Sequence, residues 1–387
     1  MSVILINLGR ACALLTVLTL VACGSDSASS DPNNSSSNHK TDRPNPIVCN
    51  QNDQEINWQA LETVRCNLLS DYGLFNSAPN QIKESKGGIH YQLNSELFSD
   101  HARKYRYIYL PENTKIGYQQ DDSLDFPVGT VLVKVFALPS ISTADASEHI
   151  VEVRLMVHRQ SGWIFIPYVW DETSQDAYFA IGGSKTPVRF QHNGEQLDFD
   201  YESPSLQRCG SCHQVKKNEK TAFLPIGPKI RHLNRSINVN NKEVNQLEYW
   251  QSLGLIDLPA AAKNLPYAPN WRDNTKPLQD RAKAYLDINC AHCHNPYGAA
   301  ALSGLRLEYT RANIDRSHGV CNSSHGWRGG GFDIWPGHGK ESSIPRRMEM
   351  NEATDRMPPI GRAVSDDEAV LLIQEWIDSM PEVQCSS

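Results

Sequence analysis

The chain contains the phrase Cys-x-x-Cys-His twice, as Cys209-Gly210-Ser211-Cys212-His213 and as Cys290-Ala291-His292-Cys293-His294. Two thiols three positions apart, followed directly by an imidazole, form the attachment sequence of a c-type haem. Each thiol adds to one vinyl group, and the adjacent imidazole is held beneath the iron as its proximal ligand. The reading is two covalently bound haems, attached through Cys209, Cys212, Cys290 and Cys293, with His213 and His294 on iron. The four cysteines also make a CxxC…CxxC zinc set, but their separation is far longer than a zinc ribbon uses, and a His follows each pair. Thioredoxin-like dithiols would need a βαβ context that the flanks do not show.

Porphyrin fills four of the six iron positions, so the second axial ligand decides the chemistry. After the second copy, "RMPPIG" offers Met357 as that ligand, with prolines behind it to stiffen the loop. Met348 and Met350, in "IPRRMEM", read as packing residues. The first copy is different. No Met lies between His213 and Cys290, and His232 is the one His there. Its distal ligand is His232, a residue lent by the preceding half such as Met156 or His158, a residue of the second haem domain, or none; the sequence leaves these open. His292 reads as an exposed filler position inside the motif.

The elements that must position these groups fall into two kinds. From Gly88 to Tyr201 the hydrophobic period is two, with "KYRYIYLP" alternating and "VGTVLVKVFALP" strongly β-branched. "HIVEVRLMVHR" and "WIFIPYVW" flank Gln160-Ser161-Gly162, and "VRFQ" and "EQLDFDY" flank His192-Asn193-Gly194; both read as tight hairpins, Asn-Gly favouring type I′. These strands predict a sandwich or an open barrel. Its histidines (His90, His101, His149, His158, His192) read as surface or packing residues. After Tyr201 helical spacing takes over. Val244, Leu247, Trp250 and Leu253 lie on one face, with Gly254 as a stop. A helix over 278–289 runs straight into Cys290. The closing helix "SDDEAVLLIQEWIDSM" has a Ser365/Glu368 capping-box pattern and an apolar face of Val370, Ile373, Trp376, Ile377 and Met380. Helix, CxxCH, loop-borne Met and closing helix make the layout of a class I cytochrome c domain. The expected fold is α+β and multidomain: a β-rich domain (47–205), a first haem-attachment segment (206–275) and an all-α cytochrome c-like domain (276–387).

At the N-terminus, "ACALLTVLTLVAC" has the length of a signal-peptide core and ends in a pattern resembling the bacterial lipobox. Residues 1–22 read as a lipoprotein signal peptide, Cys23 as the lipidated residue and 23–46 as a polar tether too poor in large apolar groups to fold. Gly24 after Cys23 favours the outer membrane, with the domain facing periplasm or medium. Cys49, Cys66, Cys321 and Cys385 remain, an even number that in an oxidising compartment predicts two disulfides in one of three pairings. Joining Cys49 to Cys385 would clamp the two ends together. With 387 residues and a net charge of -7 the chain lacks the basic balance of a nucleic-acid binder.

Taken together, "ELFSDHARKYRYIYLP", "FPVGTVLVKVFALP", "GWIFIPYVWDE", "CGSCHQ…LPIGPKIRHLN", "YLDINCAHCHNPYGAAALSGLRL" and "PGHGKESSIPRRMEM…RMPPIGR" resemble, over about residues 55–380, a family of exported bacterial dihaem c-type cytochromes, mostly uncharacterised lipoproteins. The resemblance implies two covalent haems at the motifs above and a parallel β-helix repeat protein as a possible partner. It implies no substrate. Electron transfer between periplasmic or membrane redox partners is the expected function, since no nucleophile-base constellation, phosphate loop or nicotinamide fingerprint is present. The alternative is a peroxidase-like dihaem enzyme using an open first haem.

Overall fold

The computed structural model describes residues 43–50, 55–75, 87–139 and 148–386. The expected signal peptide (1–22), Cys23 and most of the expected tether lie outside them. Folded structure begins before Ile47: the Arg43 guanidinium donates to the Asn67 side chain at 2.9 Å and lies over the Phe179 ring.

Six strands form one antiparallel sheet in sequence order: β1 (Ile89–His90), β2 (Arg103–Tyr109), β3 (Val131–Pro139), β4 (Glu148–Arg159), β5 (Gly162–Asp171) and β6 (Asp176–Phe179). A separate hairpin, β7 (Ser184–His192) and β8 (Glu195–Ser203), follows. The turns form where expected. Gln160 and Ser161 join β4 to β5, and Asn193 (φ 49°) with Gly194 (φ 86°) supplies the two positive φ values of a type I′ turn.

The architecture corrects the expected one in two ways. The β region is neither a sandwich nor a barrel, because its second layer is not a sheet. β3 is buried along nearly its whole length, as a strand covered on both faces must be. On one face Val131, Val133, Val135, Leu155 and Val157 pack against Leu61, Tyr72 and the N-terminal segment. On the other, Leu132, Met156, Trp163 and Phe165 share a core with Cys209, Ile230, Leu247, Trp250 and Ile288. The segment carrying the first motif is itself the sheet's second cover, and burying each such side chain contributes about 1.5–3 kcal/mol.

The second correction concerns the C-terminal region, where no all-α cytochrome domain forms. After α1 (Trp58–Thr63), α2 (Leu206–His213), α3 (Ile230–Leu233) and α4 (Gln246–Ser252), only α5 (Leu278–Asn289), α6 (Ser343–Glu349) and α7 (Asp367–Asp378) are α-helical. The described residues hold more strand than helix, and their helices are short. Two amphipathic helices of 12 residues each, α5 and α7, do pack together, and they carried the helical expectation. The long stretch between them is irregular because it takes positive φ at Gly304, Gly319, Gly326, Gly330, Gly331 and Gly337, which no helix interior accommodates. Nor does the capping box form. Asp366 is the N-cap of α7, and Ser365 donates its hydroxyl proton to Asp367.

The disulfides are Cys49–Cys66 and Cys321–Cys385, so neither joins the two ends of the chain. Their loops of 17 and 64 residues correspond to about 3 and about 4 kcal/mol of chain entropy. The shared core holds the β region to the rest, and a buried ion cluster fastens α5 to the segment bearing the first motif. Asp287 on α5 accepts from Arg231 at 2.9 and 3.0 Å, from His232 Nε2 at 2.7 Å and from the Tyr309 amide at 3.0 Å, with Lys229 at 3.5 Å. Among the described residues no helix is long and apolar enough to cross a membrane.

His318 sets one pH dependence of this fold. It is fully buried, packed edge-on to Trp376 at 6.0 Å, and neither ring nitrogen finds a hydrogen-bond partner of good geometry among the described residues. Burial, with help from Lys283 and Arg311, pushes it down to about 4. The unfolded chain therefore binds more protons than the folded one below about pH 6.5, and stability falls as pH drops from there toward 4. Thermal melts across that window should slope less steeply for His318→Leu than for the parent. Equal slopes would show that this ring is not the group responsible.

Candidate functional site

The two motifs adopt different local backbones. The first lies within α2, which starts at Leu206 because Pro204 precludes an earlier turn and Ser205 caps it, its side chain accepting from the Arg208 amide. The second follows α5: Cys290 is that helix's C-cap, and the amides of Cys293 and His294 both return to the Cys290 carbonyl. Gly298 lets the chain close tightly beyond it, since a Cβ there would lie 2.4 Å from the Cys293 carbonyl oxygen.

Eighty residues apart in sequence, the motifs meet in space. The ligand atoms of Cys212, His292 and Cys293 all lie within 4.8 Å of one another. Cys293 Sγ is also 3.9 Å from the Ser211 carbonyl, and the Lys216 amide donates to the Tyr297 carbonyl at 2.8 Å, tying the segments together just past each motif. A hydrogen bond from Cys293, then contact with His292, holds the Cys212 thiol down, and that same hydrogen bond between the two sulfurs pushes Cys293 up. Burial pushes Cys209 up to about 11 and Cys290 up to about 12. None of these four cysteines is in a disulfide.

Each motif histidine has one nitrogen committed. His213 Nδ1 lies 2.7 Å from the Leu224 carbonyl oxygen, which can only accept, so Nδ1 carries the proton. His294 Nδ1 lies 3.0 Å from the Ser303 hydroxyl. That hydroxyl donates its single proton to the Ala300 carbonyl and accepts from the Leu305 amide, so His294 Nδ1 is again the donor. Burial lowers His213 to about 3 and His294 to about 4, so both rings are neutral with a single proton on Nδ1. Nε2 of each keeps its lone pair. An imidazole oriented by an Nδ1–H bond is how metal-ligating histidines are ordinarily held.

The other expected ligands are placed as follows. Met357 is half-buried on a loop that Arg362 organises: its guanidinium donates to the carbonyls of Met357 (3.2 Å), Arg347 (3.2 Å), Met350 (2.6 Å) and Val364 (3.1 Å). The Met357 amide donates to Arg347, whose charge acts on His294. Met348 is buried in the core of α5, α6 and α7, a packing residue as expected. His232 is fully buried with Nε2 given to Asp287, which leaves Nδ1 as its only free nitrogen. His158 stacks on Trp163 with 4.6 Å between ring centroids. Met156 stands opposite Phe165 in the β4–β5 register, and the Phe165 ring is 5.0 Å from that of His213.

Sequence reasoning missed His292, which is half-buried against Cys212 rather than an exposed filler, and missed Ser303 and the Leu224 carbonyl. Nothing local marks them, because each is defined by a neighbour folded in from elsewhere. Comparisons with family models, with curated proteins and with solved structures find no match to this chain.

Proposed function

We propose that this protein is a dihaem c-type cytochrome that carries electrons one at a time between redox partners. One haem would be held by Cys209, Cys212 and His213, and the other by Cys290, Cys293 and His294, with Met357 as the distal ligand of the second. The group fits the residues present: at each motif two unoxidised thiols accompany a neutral imidazole whose Nδ1–H is pinned and whose Nε2 is free. When bound, each haem supplies a one-electron iron couple. The chain's own part is to orient the two imidazoles and to bring the attachment points together. That convergence is the observation carrying the proposal, because a carrier with two adjacent redox centres needs short separation and no substrate pocket. Export as a lipoprotein anchored through Cys23, and partners at the membrane or in the periplasm, a parallel β-helix repeat protein among them, belong to the same proposal.

A second reading rests on the same contact. Cys212, His292 and Cys293 form a three-donor set suited to zinc. Metal and haem analysis of the purified protein separates the two, since zinc without a haem spectrum would replace the first reading.

The experiment that tests the distal assignment is carbon monoxide binding to the reduced protein. The parent should leave the second haem closed, and Met357→Ala should open it and lower its potential. If neither property changes, Met357 is not the ligand. Carbon monoxide binding to the first haem of the parent, with peroxide turnover, would instead favour the peroxidase-like enzyme.

A further inference from the structure

On the sheet face that packs against the first motif, three cations stand side by side. Arg106 on β2 is the register partner of Lys134 on β3, and Lys134 is the register partner of Arg154 on β4. Strand alternation puts Lys134 on the face of Leu132 and Arg154 on the face of Met156, both of which share a core with Cys209. Like charges directly opposite one another across a sheet are destabilising, and here two such pairs adjoin.

Neither counter-charge forms an ion pair with the middle of the row, although the charge of Glu96 acts on Lys134 from a distance. Glu152 is held bidentately by Arg154 at 2.5 and 2.8 Å. Glu96 accepts from Arg106 Nη1 at 2.9 Å and lies 3.8 Å from Lys104, a fourth cation on this face. The Lys134 side chain has no ion pair and no hydrogen bond among the described residues, and its Nζ lies over the Phe136 ring at 5.9 Å. Arg106 is 2% exposed and its Nε has no hydrogen-bond partner. Four basic side chains thus face two carboxylates, and the one without an ion pair is the central one, Lys134, which burial and the neighbouring Arg106 and Arg154 push down to about 7.

The row also adjoins the haem-attachment residues. The charges of Lys134 and Arg154 act on His213, and that of Arg154 acts on Cys209 and Cys212. We infer that Arg106, Lys134 and Arg154 form a carboxylate-binding cradle for the propionates of the haem attached at Cys209 and Cys212. This rests on the haem reading above and adds what the sheet contributes to it: the β strands supply the cationic wall against which the anionic edge of that haem is neutralised. The chemistry needed is a carboxylate pair, which a free dicarboxylate or phosphate could also supply.

The test uses the purified, haem-loaded protein, with haem counted by mass and both potentials measured by redox titration. Lys134→Met should keep two haems and make one of them harder to reduce. At fixed potential its oxidised-to-reduced ratio should rise roughly tenfold, the size of effect of one charge about 10 Å away at an effective dielectric near 20. The other haem should be unmoved, and Lys134→Arg should match the parent. Potentials identical in the parent and Lys134→Met would overturn the cradle while leaving two haems in place. A potential in the parent that responds to added phosphate or succinate, with the response lost in Lys134→Met, would overturn it in favour of a free-anion site. A parent with no haem would overturn both this inference and the reading it rests on.

Discussion

Replacing Cys209 and Cys212 together with alanine is expected to remove one haem of two, read as the loss of one haem mass and of half the reduced absorbance. The substitution removes both attachment points but leaves α2 intact, because Ser205 still caps it and alanine is the best helix former. The second motif should keep its own haem, since its proximal histidine is oriented by Ser303, far from the change in sequence and bonded to other atoms. The remaining centre is nonetheless not wholly insulated. Cys212 is within 4.8 Å of His292 and Cys293, so a modest shift in the spectrum or potential of the second haem should accompany the loss of the first. An unchanged haem count would remove the first motif from the proposal. A total loss of haem in a protein that still folds would show that the two sites form only together.

The largest effect on stability is expected at Asp287. It is fully buried, and its carboxylate is shared by Arg231, His232 and Lys229. Burial alone would raise its carboxyl; the Lys229 ammonium, the hydrogen bond from His232 and the Arg231 guanidinium more than offset this and hold it well below the usual range. Asp287→Asn keeps the shape but leaves buried cations without their anion, a change that costs about 3–5 kcal/mol in comparable cases. Denaturant unfolding should show that loss as a lower midpoint at unchanged slope. A cost below about 1 kcal/mol would mean the cluster is not what fastens α5 to the segment bearing the first motif. The sign with pH is the same as for His318, but the window lies lower. The folded carboxyl lies below its unfolded value, so this stabilisation is complete above about pH 4 and is lost only as pH falls further. Between pH 8 and 5 the Asp287→Asn cost should therefore be flat.

Much of the local structure was readable along the chain. Asn193-Gly194 named its own turn because few residues accept positive φ, and Pro277 with the spacing of Ala282, Tyr285, Leu286 and Ile288 placed α5 correctly. Gly254 stopped α4, although Val244 proved to belong to a strand, β10 (Lys242–Asn245), paired with β9 (Ser236–Val239). The larger inference from α5 and α7 to a whole helical domain failed, because two amphipathic helices say nothing about the chain between them.

What the sequence by itself determined is the chemistry on offer: two sets of two thiols and an imidazole, with four further cysteines left to pair. Covalent spacing does that, because three positions of backbone fix how far apart the thiols of one motif can lie. What only the tertiary structure decided is which groups stand next to which. It brought Cys212 beside His292 and Cys293, committed His232 to Asp287, paired Cys49 with Cys66 and Cys321 with Cys385, and left Lys134 without an anion among cations. Those relations join residues tens of positions apart. They are set by which apolar faces bury each other and by strand register, and neither is written in any short stretch of the chain.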